Sequence, residues 1–302
     1  MSDHASSTKA IFYALMANFG IAIAKLAAAL YTGSGSMLAE AIHSFSDCAN
    51  QILLFIGISQ SKRPPSPNYP MGHGKVTYFW SFLVALLLFS LGGLFSMYEG
   101  WHKLHEPEAV SQLWIALSVL GASIVLETFS LMGCLKEVKH LRGERSFGAW
   151  LKNTRNAELV VVLGEDIAAL VGLVIASSFV GLTALTGDPR FDAMGSIVIG
   201  VVLVGVAAFI SIRIKGLIVG RSAEEDLQQA ILEEIERDPS IDRLFHAITL
   251  QFGPQVMLAA KIQMKPGITI EEAVATINEF ETRITQKFPE IAWCFIEPDD
   301  KD

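Results

Sequence analysis

Charge is scarce in this chain. Asp, Glu, Lys and Arg make up 18% of its 302 residues and hydrophobic residues 51%, whereas soluble domains carry about a quarter charged. A shortage on that scale excludes a protein whose whole surface faces water. Cysteine is scarce too: Cys48, Cys134 and Cys294 lie far apart with no CxxC, which excludes a disulfide framework and a thiolate metal site. Cys48 reads as a small residue for helix packing. Positive charge is missing from the C-terminal part, where 8 Lys and Arg face 17 Asp and Glu from Gly216 onward. That balance excludes nucleic acid, which calls for a basic patch, and docking of the tail onto anionic lipid. There is no repeat and no low-complexity tract. Only the short polar MSDHASSTKA precedes the first apolar run, and that run is too long for a signal-peptide core, so no removable leader is expected.

What the sequence has instead is apolar length. Six segments can each span a bilayer: approximately Ala10–Leu30, Met37–Ile58, Val76–Glu99, Leu113–Leu135, Leu159–Leu182 and Ala193–Ile214. Basic residues cluster in the second link (Lys62, Arg63, Lys75), in the fourth (Lys136, Lys139, Arg142, Arg145, Lys152, Arg155) and after the sixth segment (Arg213, Lys215, Arg221). The positive-inside rule puts those links, and with them both termini, in the cytoplasm. Past Arg221 the pattern changes. AEEDLQQAILEEIERD is an amphipathic helix, FHAITLQFG and QVMLAAKIQM are strands turning at Gly253-Pro254, and IAWCFIEP is a closing strand. The second tail helix is capped by Thr269, with Glu272 three residues later as a capping box. The order αββαβ predicts a small α+β domain with its helices on one face of a short sheet.

Polar residues interrupt the apolar segments at telling places. AEAIHSFSDCANQ puts Glu40, His43 and Asp47 inside the second segment, where each ionisable group costs roughly 2.5–3.5 kcal/mol or more at mid-bilayer. His43 and Asp47 are four apart, on one helix face and about 6 Å apart along the axis, so they can converge on one ion. Imidazole with carboxylate suits zinc and other first-row divalent metals better than Ca²⁺ or Mg²⁺. The plainer alternative is that both only bond neighbouring helices. In the fifth segment VVVLGEDIAALVGLVIA carries Glu165 and Asp166. Adjacent residues point about 100° apart, so one of the two is expected to face the His43/Asp47 stripe. Lys25 and Glu40 fall in the outer half of consecutive helices, and a structural ion pair is the favoured reading. Glu99 is expected to face headgroups, and Glu127 has no assignment.

Taken together, TGSGSMLAEAIHSFSDCANQILLFIG, YPMGHGKVTYFWSFLVAL, the acidic fifth segment and the αββαβ tail resemble the cation diffusion facilitator family of metal–proton antiporters. The resemblance covers nearly the whole chain. It implies a six-helix transmembrane transport domain (1–215), a cytoplasmic ferredoxin-like domain (216–302), a homodimer in a lipid bilayer, and no enzymatic activity. It places metal ligands at His43, Asp47 and Asp166. The family's usual fifth-helix histidine falls on Val162, so Glu165 or a water supplies the fourth ligand. The GHGK loop keeps His73 but has Pro67 and Tyr69 where some members ligate a second metal. The tail reads Phe245, Lys261 and Phe295 at further ligand positions, with His246 one place off and Glu297 alone left. A regulatory metal site in the tail is therefore not expected. The implied function is export of a divalent transition metal, foremost Zn²⁺, from the cytoplasm in exchange for protons, with the metal as substrate and no prosthetic group. The default membrane is a bacterial inner membrane, or an organelle membrane in a eukaryote. The rival reading is a non-transporting scaffold or metal sensor on the same fold. An intramembrane aspartyl protease fails because LGED is not GxGD.

Overall fold

The structure, a computed structural model, describes residues 18–107 and 110–301. The first apolar run is seen from Asn18 as helix α1 (Asn18–Thr32), and its earlier part lies outside the described residues. Five longer helices follow that have the length and composition to cross a membrane: α2 (Gly35–Ser61), α3 (Val76–His105), α4 (Leu113–Arg142), α6 (Ala157–Thr186) and α7 (Arg190–Val219). A two-turn helix, α5 (Phe147–Asn153), stands between α4 and α6. The helices overrun the apolar segments read from sequence. Four of them have 30 residues, about 45 Å at 1.5 Å per residue, against a hydrocarbon layer of about 30 Å. Polar end turns belong to the helix but not to the apolar window, and this accounts for the difference.

The chain divides into two compact units, residues 1–57, 80–144 and 158–214 in the first and 58–79, 145–157 and 215–302 in the second. In the first, α2 begins against a carboxylate borrowed from another helix. Asp192, in the opening turn of α7 and 1% exposed, accepts from the Ser34 hydroxyl (2.6 Å) and from the backbone N–H groups of Gly35 (2.5 Å) and Ser36 (3.3 Å). The first N–H groups of a helix have no partner within it, and a carboxylate there satisfies them and complements the helix dipole. The Ser36 hydroxyl in turn donates to the Asp192 carbonyl (2.8 Å). Helices α3 and α7 approach closely: a Cβ on Gly200 would fall 2.7 Å from the Gly93 carbonyl oxygen and 2.5 Å from the Met97 side chain. Only small residues permit this. At the contact α3 winds as a π-helix over Leu88–Leu94, a departure frequent at functional sites.

The second unit holds the tail domain. Helix α8 (Glu225–Glu236), strands β1 (Ile241–Phe252) and β2 (Gln255–Met264), helix α9 (Ile270–Lys287) and strand β3 (Ile291–Pro298) follow in the expected αββαβ order. The sheet order is β1-β2-β3, with β1–β2 antiparallel and β2–β3 parallel. The hairpin turns on two residues, Gly253 at φ +66° and Pro254, a combination that fits a turn with a left-handed first position. The capping box of α9 is formed: the Glu272 carboxylate accepts from Thr269 N (2.8 Å), and Thr269 Oγ1 accepts from Glu272 N (3.3 Å). Ile231 and Ile235 of α8 and Phe280 and Ile284 of α9 bury against Leu258, Ala260 and Ile262 of β2. Each large side chain contributes about 1.5–3 kcal/mol by leaving water. The first turn of α3 packs on the hairpin: the Tyr78 hydroxyl accepts from Gly253 N (2.9 Å) and donates to Gly253 O (3.3 Å).

Candidate metal site in the membrane helices

Four helices of the first unit enclose a cleft of about 40 Å³. Helix α1 lines it with Asn18 and Ile21, α2 with Ser44, Asp47 and Gln51, α4 with Glu127 and Ser130, and α6 with Val162, Glu165, Asp166 and Ala169. The spacing on each helix is that of one face. On α6 the run Val162, Glu165, Asp166, Ala169 covers i, i+3, i+4 and i+7. On α2 the run Ser44, Asp47, Gln51 covers i, i+3 and i+7.

Each sequence-predicted residue has a definite place. His43 is fully buried, with Nε2 3.6 Å from Asp47 Oδ2, and neither ring nitrogen has a hydrogen-bond partner. Asp47 lies at the cleft, and its buried Oδ1 is likewise unpartnered. Glu165, 6% exposed, accepts from Asn50 Nδ2 (2.5 Å) across to α2. Asp166 accepts from the Ser130 hydroxyl of α4 (3.3 Å), while its buried Oδ2 has no partner. One carboxylate of the Glu165/Asp166 pair was expected to face the α2 stripe; Glu165 bonds across to α2, while Asp166 bonds to α4, and both line the cleft. The cleft lies between two neighbours of α6, so side chains 100° apart reach it from opposite flanks, Glu165 toward α2 and Asp166 toward α4. Among the described residues no three His, Cys, Asp or Glu side chains gather closely enough to hold one metal ion. The acids are spread over Asn50, Ser130 and His43 rather than drawn to a common centre.

Two residues at or beside the cleft were given no role from sequence. Asn50 is the penultimate residue of the quoted AEAIHSFSDCANQ motif and lies three residues from Asp47, so helical spacing alone could have flagged it. Glu127 carried only the signal of a carboxylate in an apolar helix; the other residues that line the cleft with it come from helices distant in sequence. The remaining membrane charges are accounted for. Lys25 Nζ lies 3.3 Å from Glu40 Oε2 and donates to the Ser44 hydroxyl (2.7 Å), with Lys25 and Glu40 both fully buried. That is the structural ion pair expected. Glu99, expected at the headgroups, is instead paired to Lys103 at 3.6 Å and only 17% exposed, because the next turn of its own helix offers the ammonium. In the second unit His73 stacks on Tyr69 (4.5 Å between ring centres), and its buried Nδ1 has no partner. In the sheet, His246, Lys261 and Glu297 lie side by side across three strands. The central position is held by the Lys261 ammonium, 2.6 Å from Asp299, and a fixed cation there opposes binding of another.

The family model for the cation efflux transmembrane domain matches residues 11–213. The chain belongs to the cation efflux family. The cation efflux match ends in the last third of α7, so the tail domain lies outside it. Among curated relatives, the proton-coupled zinc antiporter SLC30A9, mitochondrial, of Xenopus laevis is 35% identical over 259 residues, covering 85% of this chain and 45% of its own length. The protein of the same name from Homo sapiens is 33% identical over the same shares. Metal tolerance protein C4 of Arabidopsis thaliana is 31% identical over 82% of this chain and 55% of its own. This cation efflux chain thus spans about half the length of the curated relatives it matches.

Proposed function

We propose that the protein carries a divalent transition metal, foremost Zn²⁺, out of the cytoplasm in exchange for protons, and that the cargo crosses chemically unchanged. The observation that carries this reading is the meeting of Asp47, Glu165 and Asp166, with His43 behind Asp47, at one cleft among the helices of a cation efflux domain. Ionisable side chains inside membrane helices mark ion pathways by default. His43, Asp47 and Asp166 are the proposed ligands, and Glu165 assists as fourth ligand or proton acceptor. Metal binding needs neutral imidazole and ionised carboxylates, so loading releases protons and reprotonation on the acidic side favours the empty carrier's return. Alternating access then moves helices about a site deep in the membrane. The names of the zinc antiporter relatives support zinc. The proposed arrangement is residues 1–215 as transport domain, 216–302 as cytoplasmic domain, both termini in the cytoplasm, and a homodimer.

A second reading, a scaffold or sensor that binds metal without moving it, draws on Val162 and on the ungathered acids. One experiment separates them. The purified chain in liposomes, given Zn²⁺ on one side with pH recorded on the other, should move zinc and protons in opposite directions, and Asp47→Ala should abolish both. Zinc binding with no flux in the wild-type chain would favour the scaffold.

A further inference from the structure

Glu127 is the one cleft carboxylate with no role above. It sits in the middle of α4, an apolar helix of 30 residues. Its neighbour three residues on, Ser130, shares its face of α4 and donates to Asp166 (3.3 Å). Glu127 therefore looks into the cleft from the side opposite α2. Among the described residues it has no hydrogen bond and no ion pair, although every other cleft acid has a neighbour: Asp47 has His43, Glu165 has Asn50 and Asp166 has Ser130. A carboxylate left unpaired among membrane helices costs several kcal/mol unless a cation offsets it. The nearest buried ammonium, Lys25, is committed to Glu40 and Ser44. Independently, His43 is a fully buried imidazole without a hydrogen-bond partner, aimed at Asp47. A cleft of about 40 Å³ is several times the room one water needs and accepts an ion with part of its hydration.

Resting on the transport reading above, we propose that Glu127 is a further metal-binding residue of this site and the one that sets its selectivity. It supplies from α4 the donor that Val162 cannot supply from α6. The consequence is a donor set of one nitrogen with carboxylate oxygens instead of two imidazoles with carboxylates. Oxygen-rich sets suit Mn²⁺, while added imidazole favours Zn²⁺. Glu127 thus widens the site from zinc toward harder divalent ions.

The test is a competition flux of Mn²⁺ and Zn²⁺ into liposomes containing the full chain. Glu127→Gln keeps shape and removes charge; Mn²⁺ flux should fall tenfold or more while Zn²⁺ flux falls less than threefold. Glu127→His should restore Zn²⁺ flux to the wild-type level without restoring Mn²⁺. A merely structural role would lower both fluxes together, so an unchanged Mn²⁺/Zn²⁺ ratio in Glu127→Gln overturns the proposal. Asp47→Ala in the same assay tests the transport reading separately: if it transports normally that reading fails, whereas its loss beside a normal Glu127→Gln sinks only the present inference. Should the Glu127 variants not assemble, the wild-type chain decides. A metal-loaded structure with Mn²⁺ located by anomalous scattering should show a Glu127 oxygen within about 2.5 Å, near a bond length for an oxygen ligand, and a longer distance overturns the assignment.

Discussion

At the scale of single residues, the membrane domain has charges that hold it together and, in the transport reading proposed above, charges that wait for cargo. Lys25 and Glu40 are of the first kind. Removing one partner of a fully buried pair strands the other and costs about 3–5 kcal/mol, while removing both is often nearly neutral. Lys25→Met alone should therefore lower the thermal midpoint in detergent markedly, and Lys25→Met with Glu40→Leu should recover most of it. Equal loss in both variants would mean that the pair contributes net stability. Glu165 is of the second kind, and Val162 makes it testable. Val162 and Asp166 share one face of α6 at the cleft, so a histidine at 162 would project where the family resemblance puts an imidazole and could complete a four-coordinate site. Glu165→Gln should lose zinc flux, and Val162→His added to it should restore part. If Glu165→Gln transports normally, three ligands and water suffice. Loss without rescue assigns Glu165 to protons.

At the scale of elements, the hydrophobic period and the caps made most of the fold legible in the sequence. The αββαβ order, the Gly253-Pro254 turn and the Thr269/Glu272 box are local features, written in residues close in the chain, and the structure has each of them. The helix ends were read short because hydropathy marks the lipid-facing length and says little about polar turns beyond it. The candidate site was legible only in part. His43 and Asp47 announce themselves by spacing on one helix, but Glu127 and the two-sided use of Glu165 and Asp166 depend on which helices become neighbours, and no local pattern encodes that. Strand β3 gives an element-scale prediction. Cys294 packs against the tail core, and burial pushes its thiol up from 9.0 to about 12. The fold thus disfavours the thiolate, so this contribution to stability is complete below about pH 9 and is lost as pH climbs toward 12. Since the thiolate is the reactive form, iodoacetamide at pH 8 should label Cys294 slowly in a Cys48→Ala/Cys134→Ala background and fast after denaturation. Fast labelling of the folded chain would contradict this.

At the scale of the whole molecule, the tail domain is expected to hold together without a metal staple. Its core is aliphatic and aromatic, and the row His246, Lys261, Glu297 carries a lysine at its centre. Chelation should leave amide exchange across β1–β3 of the full chain unchanged; loss of protection over those strands would reveal a structural metal. The membrane domain shows the opposite economy, with polar groups spread thinly and each tied to a particular helix. The grip of Asp192 on the first turn of α2 then fixes more than a helix end. A rod held at one tip converts rotation into displacement that grows along its length. Asp47 lies twelve residues from Gly35, about 18 Å along the axis, and a swing of about 10° about that tip carries it about 3 Å. Gly57, ten residues further, travels about 6 Å in the same swing. If α2 rocks during transport, Asp192 is placed to serve as its pivot, and the stroke at Asp47 is then set by its distance from that tip.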